Sequence, residues 1–138
     1  MASTNTASPT ITNVYGFTGI TTQTGFYTQN ASGFTVVQFG YNLTPTLPAG
    51  PGSIKCGFQV TCPITLPGAG NFTAENQVGG SAVIRYREPG RVLGMDALVT
   101  GCIQAQNGTN RISIDFASVP KASGTYDISL NLSIFASV

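Results

Sequence analysis

The chain has 138 residues, which is enough for one domain and too few for a second independent core. Its composition is 41% hydrophobic and 8% charged, which excludes a disordered protein, because disorder requires low hydrophobicity and high charge. The 6 basic and 5 acidic residues give a net charge of +1, so no basic surface for nucleic acid or an anionic membrane is expected. A surface with so few charges favours association with other chains.

The first residues are polar and unpatterned, and we expect residues 1–14 to form an extended N-terminal arm ahead of a single domain at 15–138. The N-terminus has neither the charged segment nor the apolar segment of a secretory signal. No apolar run approaches the roughly 18 residues that cross a bilayer. We therefore expect the protein to act where it is made or to leave by assembly into a particle.

The first half of the domain contains short β-like runs separated by turn residues. Residues 25–28 and 34–43 are predicted strands, and residues 44–52 are a predicted loop because their prolines remove backbone donors. Apolar and polar residues alternate throughout 54–66, which predicts a strand with one buried face. Pro63 favours an edge position or a bulge for this strand.

The second half begins with a Gly-rich loop at 67–80. The remaining predicted strands are separated by turn signals and cover 81–87, 91–106, 111–119 and 126–134. The first two form a predicted hairpin about 88–90, and Asn107-Gly108 is a dipeptide favoured in tight hairpin turns. About seven or eight strands with no helical period predict an all-β, jelly-roll-like antiparallel β-sandwich.

Residue types that carry catalysis are scarce. The chain has no histidine, which removes Ser-His-Asp, Cys-His and His-metal arrangements. Asp96 and Asp115 are the acids from which a glycosidase-like carboxylate pair could be assembled, although solvent-facing strand positions explain them better. No Gly-rich phosphate loop opens a helix. We therefore predict no enzyme, no catalytic residues and no cofactor.

The three cysteines are Cys56, Cys62 and Cys102. On one strand Cys56 and Cys62 would lie about 20 Å apart at 3.3 Å per residue, which is too far for a disulfide. We expect three buried free thiols in a reducing compartment. No metal site is predicted, because there is no histidine and no close cysteine pair.

Two sets of residues are candidates for an interface. Arg85, Arg87 and Arg91 form the one local charge cluster; it is either a solvated hairpin tip with weak ion pairs or a contact to a neighbouring subunit. The other candidates are aromatic: Tyr15, Phe17, Phe26 and Tyr27. With Phe72 they could stack on sugars, although aromatic strand residues are more often core or subunit contacts.

Several short segments have the order found in one family of domains. They are the strand start Phe26-Tyr27, a Val/Phe/Tyr strand at 36–43, the run at 62–67, Asn71-Phe72-Thr73, the run at 111–116 and the run at 124–128. In this order the chain resembles the small jelly-roll domains of phage virion proteins. Such domains occur in head fibres, capsid decoration proteins and tail-fibre tips.

The resemblance implies a non-enzymatic structural protein of the virion, made in the host cytoplasm. It would act through contacts with other capsid or tail proteins, often as a homotrimer, and no catalytic residue is carried over. Fibre versions usually follow a long shaft, whereas only a short segment precedes this domain, which favours a capsid decoration or head-associated protein. The alternative is a receptor- or glycan-binding module for viral attachment at a tail-fibre tip, using loops 44–53 and 67–80.

Overall fold

The protein is described by a computed structural model, which covers the backbone of residues 2–7, 10–22, 25–30, 34–62, 66, 70–87, 97–121 and 125–137. Side chains are described for the same residues except 2–7, 25–30, 34–38 and 136–137. This part of the chain contains strands, one 3-10 helix and no α-helix, so the predicted all-β class is confirmed. Within it no helix is long and apolar enough to cross a membrane.

The strands in chain order are β1 (Ala2–Ala7), β2 (Ile11–Tyr15), β3 (Gly19–Thr22), β4 (Gly25–Asn30), β5 (Phe34–Thr46), β6 (Ser53–Thr61), β7 (Val78–Arg87), β8 (Ala97–Thr100), β9 (Cys102–Ala105), β10 (Arg111–Pro120) and β11 (Thr125–Ser137). The 3-10 helix, Glu75–Gln77, precedes β7. The seven-stranded sheet has the order β1-β4-β5-β11-β7-β8, with β3 also paired to β5. The four-stranded sheet has the order β2-β6-β10-β9.

The connectivity is jelly-roll-like. Consecutive strands β5 and β6 lie in different sheets, as do β10 and β11, and β5 pairs with β11 while β6 pairs with β10. All of these ladders are antiparallel. The prediction of a jelly-roll-like antiparallel sandwich is therefore confirmed. Its strand count was too low, because the described residues form eleven strands.

One hydrophobic core fills the space between the sheets. The core comes from strands whose alternate residues are apolar. This is clearest in β11, where the buried residues are Tyr126, Ile128, Leu130, Leu132 and Ile134. From the four-stranded sheet, Phe58, Val60, Ile112 and Ile114 face them and are at most 1% exposed. Burying each such aliphatic or aromatic side chain stabilises the fold by about 1.5–3 kcal/mol relative to leaving it in water. The alternation predicted at 54–66 and 126–134 thus defines the core.

The N-terminal residues belong to the sheets. β1 pairs with β4 at an edge of the seven-stranded sheet, and β2 pairs with β6 in the four-stranded sheet. The expected boundary between an arm at 1–14 and a domain at 15–138 therefore falls inside β2. β1 was not predicted because Ala2–Ala7 is mostly polar and shows no apolar alternation that would indicate a strand.

The strand predicted at 91–106 is divided. Residues 97–100 pair with β7 in one sheet, whereas residues 102–105 pair with β10 in the other. Gly101 lies between them, and a Cβ placed there would lie 2.7 Å from the Phe116 ring. The chain therefore changes sheets at Gly101, where the Phe116 ring leaves no room for a side chain. The apolar residues on both sides of Gly101 hide this break in the sequence. Residues 88–96, including the predicted turn, lie outside the described residues.

The proline-containing segments also differ from expectation. β5 continues to Thr46, and Pro45 pairs with Ile20 of β3. The ladder with β11 ends at Leu43, so Pro45 lies beyond that ladder. The strand at 54–66 ends at Thr61 and is central rather than at an edge, because β2 and β10 flank it. Pro63 lies outside the described residues.

Cys56 and Cys102 are free thiols, as predicted, but the three cysteines are not all buried. Cys56 and Cys62 are buried, whereas Cys102 is exposed on β9. Burial raises the pKa of the Cys56 thiol to about 11. The expectation of three buried thiols is therefore wrong for Cys102, because β9 is an edge strand of the four-stranded sheet.

Tyr41 and Tyr126 form a matched pair of buried tyrosines. The Tyr126 hydroxyl donates to the Pro120 carbonyl oxygen at 2.8 Å, whereas the buried Tyr41 hydroxyl has no partner among the described residues. We expect Tyr41→Phe to raise the free energy of unfolding by about 1 kcal/mol and Tyr126→Phe to lower it by about 1 kcal/mol. Urea unfolding of both variants measures the difference, and a loss of stability in Tyr41→Phe would contradict the assignment.

Candidate functional site

The outer face of the four-stranded sheet carries a connected set of polar side chains centred on Gln59. Asn13 Nδ2 donates to Gln59 Oε1 at 2.5 Å, and Gln59 Nε2 donates to Gln106 Oε1 at 2.6 Å. An Arg111 guanidinium N–H donates to Gln59 Oε1 at 3.4 Å, and Gln59 Nε2 approaches Ser113 Oγ at 3.5 Å. We call these five residues the amide network. It ties the two edge regions of the sheet to its centre.

Beside the amide network, Tyr15 reaches across β6 to Asp115. Its hydroxyl donates to Asp115 Oδ1 at 2.5 Å. Gly57 is the strand partner of Tyr15 on one side and of Asp115 on the other. A Cβ at Gly57 would lie 2.8 Å from the Tyr15 hydroxyl and 2.9 Å from Asp115 Oδ1. The glycine therefore leaves the space in which this bridge forms.

A β-bulge in β2 directs these side chains to the outer face. Between Thr12 and Tyr15 the register with β6 shifts by one residue, since Thr12 pairs with Gln59 and Tyr15 pairs with Gly57. Asn13 lies within the bulge at a φ of 51°. Asparagine tolerates this left-handed region better than most residues do, and bulges re-aim side chains at functional surfaces.

The Tyr15–Asp115 bridge should give the protein a pH dependence in the alkaline range. Burial, together with the hydrogen bond and the charge of Asp115, raises the pKa of Tyr15 from 10.0 to about 12. Because the folded-state pKa is raised, this contribution to stability is present in full below pH 10 and is lost as the pH rises through 12. Tyrosinate absorbance titration of the wild type and Tyr15→Phe should show one late-titrating tyrosine that the variant lacks. A Tyr15 that titrates at the ordinary value would contradict the bridge.

The seven-stranded sheet has a different feature at the end of β7 and the start of β11. A depression of about 210 Å³ is lined by Arg85, Tyr86, Arg87, Thr125 and Asp127. In the ladder Arg85 lies opposite Asp127, and Arg87 lies opposite Thr125. Tyr86 stacks on Tyr126 with ring centroids 5.8 Å apart. We call this feature the arginine depression.

The structure separates the predicted interface residues. Tyr15, which is 45% exposed, lies on the outer face of the four-stranded sheet, whereas Arg85 and Arg87 lie on the seven-stranded sheet. Phe17 is buried and packs on Phe58 with ring centroids 6.3 Å apart, so its prediction as an interface residue is wrong. The backbone turns toward the core at Gly16, which has a φ of 78°. This turn places the Phe17 side chain inside the sandwich.

The other predicted site residues give a mixed result. Phe26 and Tyr27 lie in β4, but their side chains are outside the described part, and so is Arg91. Phe72 is 1% exposed and is a core residue rather than a platform for sugars. Asp96 also lies outside the described residues, so the prediction that Asp96 and Asp115 form no catalytic pair stays a prediction. Among the described residues no group of three or more potential metal ligands is present.

The sequence did not reveal the amide network or the Tyr15–Asp115 bridge. Tyr15 and Asp115 are 100 residues apart in the chain, and Asn13 and Gln59 are 46 apart. Gln59 is one of the polar residues in the alternation at 54–66. This position predicts that its side chain faces outward, but it does not predict which side chains form hydrogen bonds with it. Gly57 within that alternation was the available signal, because a glycine inside a strand often marks a close approach.

Comparison of the chain with protein-family models, with curated proteins and with solved structures gave no match. The structural class of the protein therefore rests on its own fold and surface. It is a jelly-roll-like β-sandwich, and the outer face of its four-stranded sheet is polar and hydrogen-bonded.

Proposed function

We propose that this chain is a non-enzymatic structural protein of a virus particle, of the capsid decoration, head-associated or fibre type. It would act through protein–protein contacts, as a homo-oligomer with a trimer favoured, and the neighbouring copy would bind the outer face of the four-stranded sheet. The observation that carries this proposal is the amide network with its adjoining Tyr15–Asp115 bridge.

Side chains that are already held in place lose less entropy when a partner covers them. Gln59 contacts Asn13 and Gln106 in the free chain, so a partner would meet an ordered array of amide donors and acceptors. Immobilising such a side chain otherwise costs about 0.5–1.5 kcal/mol. The amide network is therefore suited to binding another surface.

Exposed apolar side chains adjoin this polar array. Val14 is 42% exposed and Tyr15 is 45% exposed, and both lie on β2 at the edge of the sheet. Tyrosine is enriched at protein interfaces, where it buries a large ring and keeps a hydrogen bond. The Tyr15 ring, held by its bond to Asp115, is the anchor that we expect for the contact.

The seven-stranded sheet also presents uncharged polar side chains. Its described exposed residues include Asn42, Thr44, Ser81, Ser129 and Asn131. Such a surface suits packing of many copies, because hydrogen bonds form without the desolvation of ion pairs. A second face of this kind supports a role in an assembly rather than as a free monomer.

The alternative proposal is a receptor- or glycan-binding module at a tail-fibre tip. It is favoured by the exposed Tyr15 ring beside the carboxylate of Asp115 and the amide of Asn13, since a ring face and planar hydrogen-bonding groups suit sugars. A glycan array separates the two proposals. Binding of a glycan by the wild type that Tyr15→Ser abolishes would favour the glycan-binding module. If the wild type binds no glycan on the array, the structural role is favoured.

Light scattering after size exclusion tests self-association. We expect the wild type to form a homotrimer and Tyr15→Ser to shift toward monomer. Leu98→Ser is the control, because Leu98 is 64% exposed but lies on β8 of the other sheet. A wild-type monomer at every concentration, or equal losses in both variants, would count against this interface.

A further inference from the structure

The first strand, β1, is attached to the rest of the sheet by one ladder. It lies at the end of the seven-stranded sheet and pairs with β4, from Ala2 opposite Asn30 to Ala7 opposite Gly25. It pairs with no other strand in the part of the chain that the structure describes. Its sequence, ASTNTA, contains no large apolar residue. The backbone ladder therefore holds β1 in place, and a segment that buries so little apolar surface opens at low free energy.

The connection from β1 to β2 is short. β1 ends at Ala7 in one sheet and β2 begins at Ile11 in the other, so three residues, 8–10, join the two sheets. The four Cα–Cα steps from Ala7 to Ile11 span at most about 14 Å, whereas stacked sheets lie about 10 Å apart. Little slack remains, and Pro9 restricts the backbone further. Short hinges of this kind favour the exchange of an element between copies of a chain.

A second copy of the chain can supply the same ladder. The backbone donors and acceptors of β4 bind an added strand in the same way whichever copy provides it. If each copy donates its β1 to the next copy, a ring of three copies closes with every β1 paired. The donated strand directly precedes β2, which carries the exposed Val14 and Tyr15. The exchange would therefore continue the contact proposed for β2.

We propose that β1 of one copy pairs with β4 of a second copy, so that the homo-oligomer is held together by exchanged N-terminal strands. This inference rests on the proposed function, since it requires a homo-oligomer. It adds the segment that each copy contributes and the strand that receives it.

The experiment uses disulfide cross-linking between full-length chains. Thr4 and Thr28 lie opposite each other in the β1–β4 ladder, and paired Cα atoms of antiparallel strands are about 4.5–5.5 Å apart, which a disulfide spans. One chain would carry Thr4→Cys and another Thr28→Cys, both with Cys102→Ser because Cys102 is exposed. After co-expression and oxidation, we expect a covalent dimer on a non-reducing gel. Neither variant expressed alone should form it.

Two further constructs make the test specific. Thr100→Cys replaces Thr28→Cys in the control mixture, because Thr100 is exposed on β8, which does not pair with β1. This mixture should form no covalent dimer. Inserting four Gly and Ser residues between Ala7 and Ser8 should reduce the dimer in the test mixture, because β1 then reaches the β4 of its own chain without tension. Absence of dimer from the test mixture, equal dimer in the control mixture, or a dimer yield that the insertion leaves unchanged would each overturn the inference.

The outcome is separable from that of the proposed function. A homotrimer whose test mixture forms no covalent dimer refutes only the exchange of β1. A covalent dimer formed by a chain that never enters a particle supports the exchange and refutes the virion role.

Discussion

Leu130→Ala is expected to lower the free energy of unfolding by about 3 kcal/mol, because it removes a core side chain and leaves a cavity. Leu130 lies on the central strand β11, between β5 and β7, and is 1% exposed. Its inward position follows from the alternation in β11, which also exposes Ser129 and Asn131. The effect should be the same in any assembly state, since the residue faces the interior of one sandwich.

The control for this prediction is the same substitution at Leu98. That side chain is 64% exposed on the edge strand β8, so Leu98→Ala should change the free energy by less than about 0.5 kcal/mol. Urea unfolding followed by circular dichroism measures both variants. Similar losses in the two would show that β11 is not the centre of the core.

Gly57→Ala is expected to lower the free energy of unfolding by about 2–3 kcal/mol through overpacking. The added Cβ would lie 2.4 Å from the Ile114 carbonyl oxygen, so the backbone of β10 must move. It would also enter the space between Tyr15 and Asp115. The substitution should therefore disrupt the bridge as well as the ladder.

Gly19→Ala is the matched control for Gly57→Ala. Gly19 also lies in a strand, β3, and an added Cβ meets nothing within 4 Å. Its unfolding free energy should change by less than about 0.5 kcal/mol. In Gly57→Ala the pKa of Tyr15 should also fall, because the hydrogen bond and the charge of Asp115 would no longer add to the effect of burial. A stable variant that keeps a late-titrating tyrosine would contradict this geometry.

The parts of the fold that the sequence predicted are those in which one long strand has one buried face. The alternation at 126–134 continues from Tyr126 to Ile134 without interruption, and the structure buries every apolar member. The hairpin about Asn107-Gly108 was predictable because this dipeptide is favoured in hairpin turns. In the structure Gly108 adopts a φ of 82°, which a glycine accepts readily.

The parts that the sequence did not predict depend on contacts between distant segments. Apolar residues on both sides of Gly101 conceal the change of sheet there, which the Phe116 ring packed against Gly101 explains. The candidate site was missed for the same reason, since Asn13, Tyr15, Gln59 and Asp115 come from three different strands. Only the pairing register brings them together.

The most direct measurement of the proposed role is the composition of purified virus particles. Particles from cells that produce this chain would be separated on a density gradient, and each fraction would be assayed for the chain and for the major capsid protein. The account predicts a constant ratio of the two proteins across the particle peak. A chain that stays at the top of the gradient, apart from the particles, would contradict it.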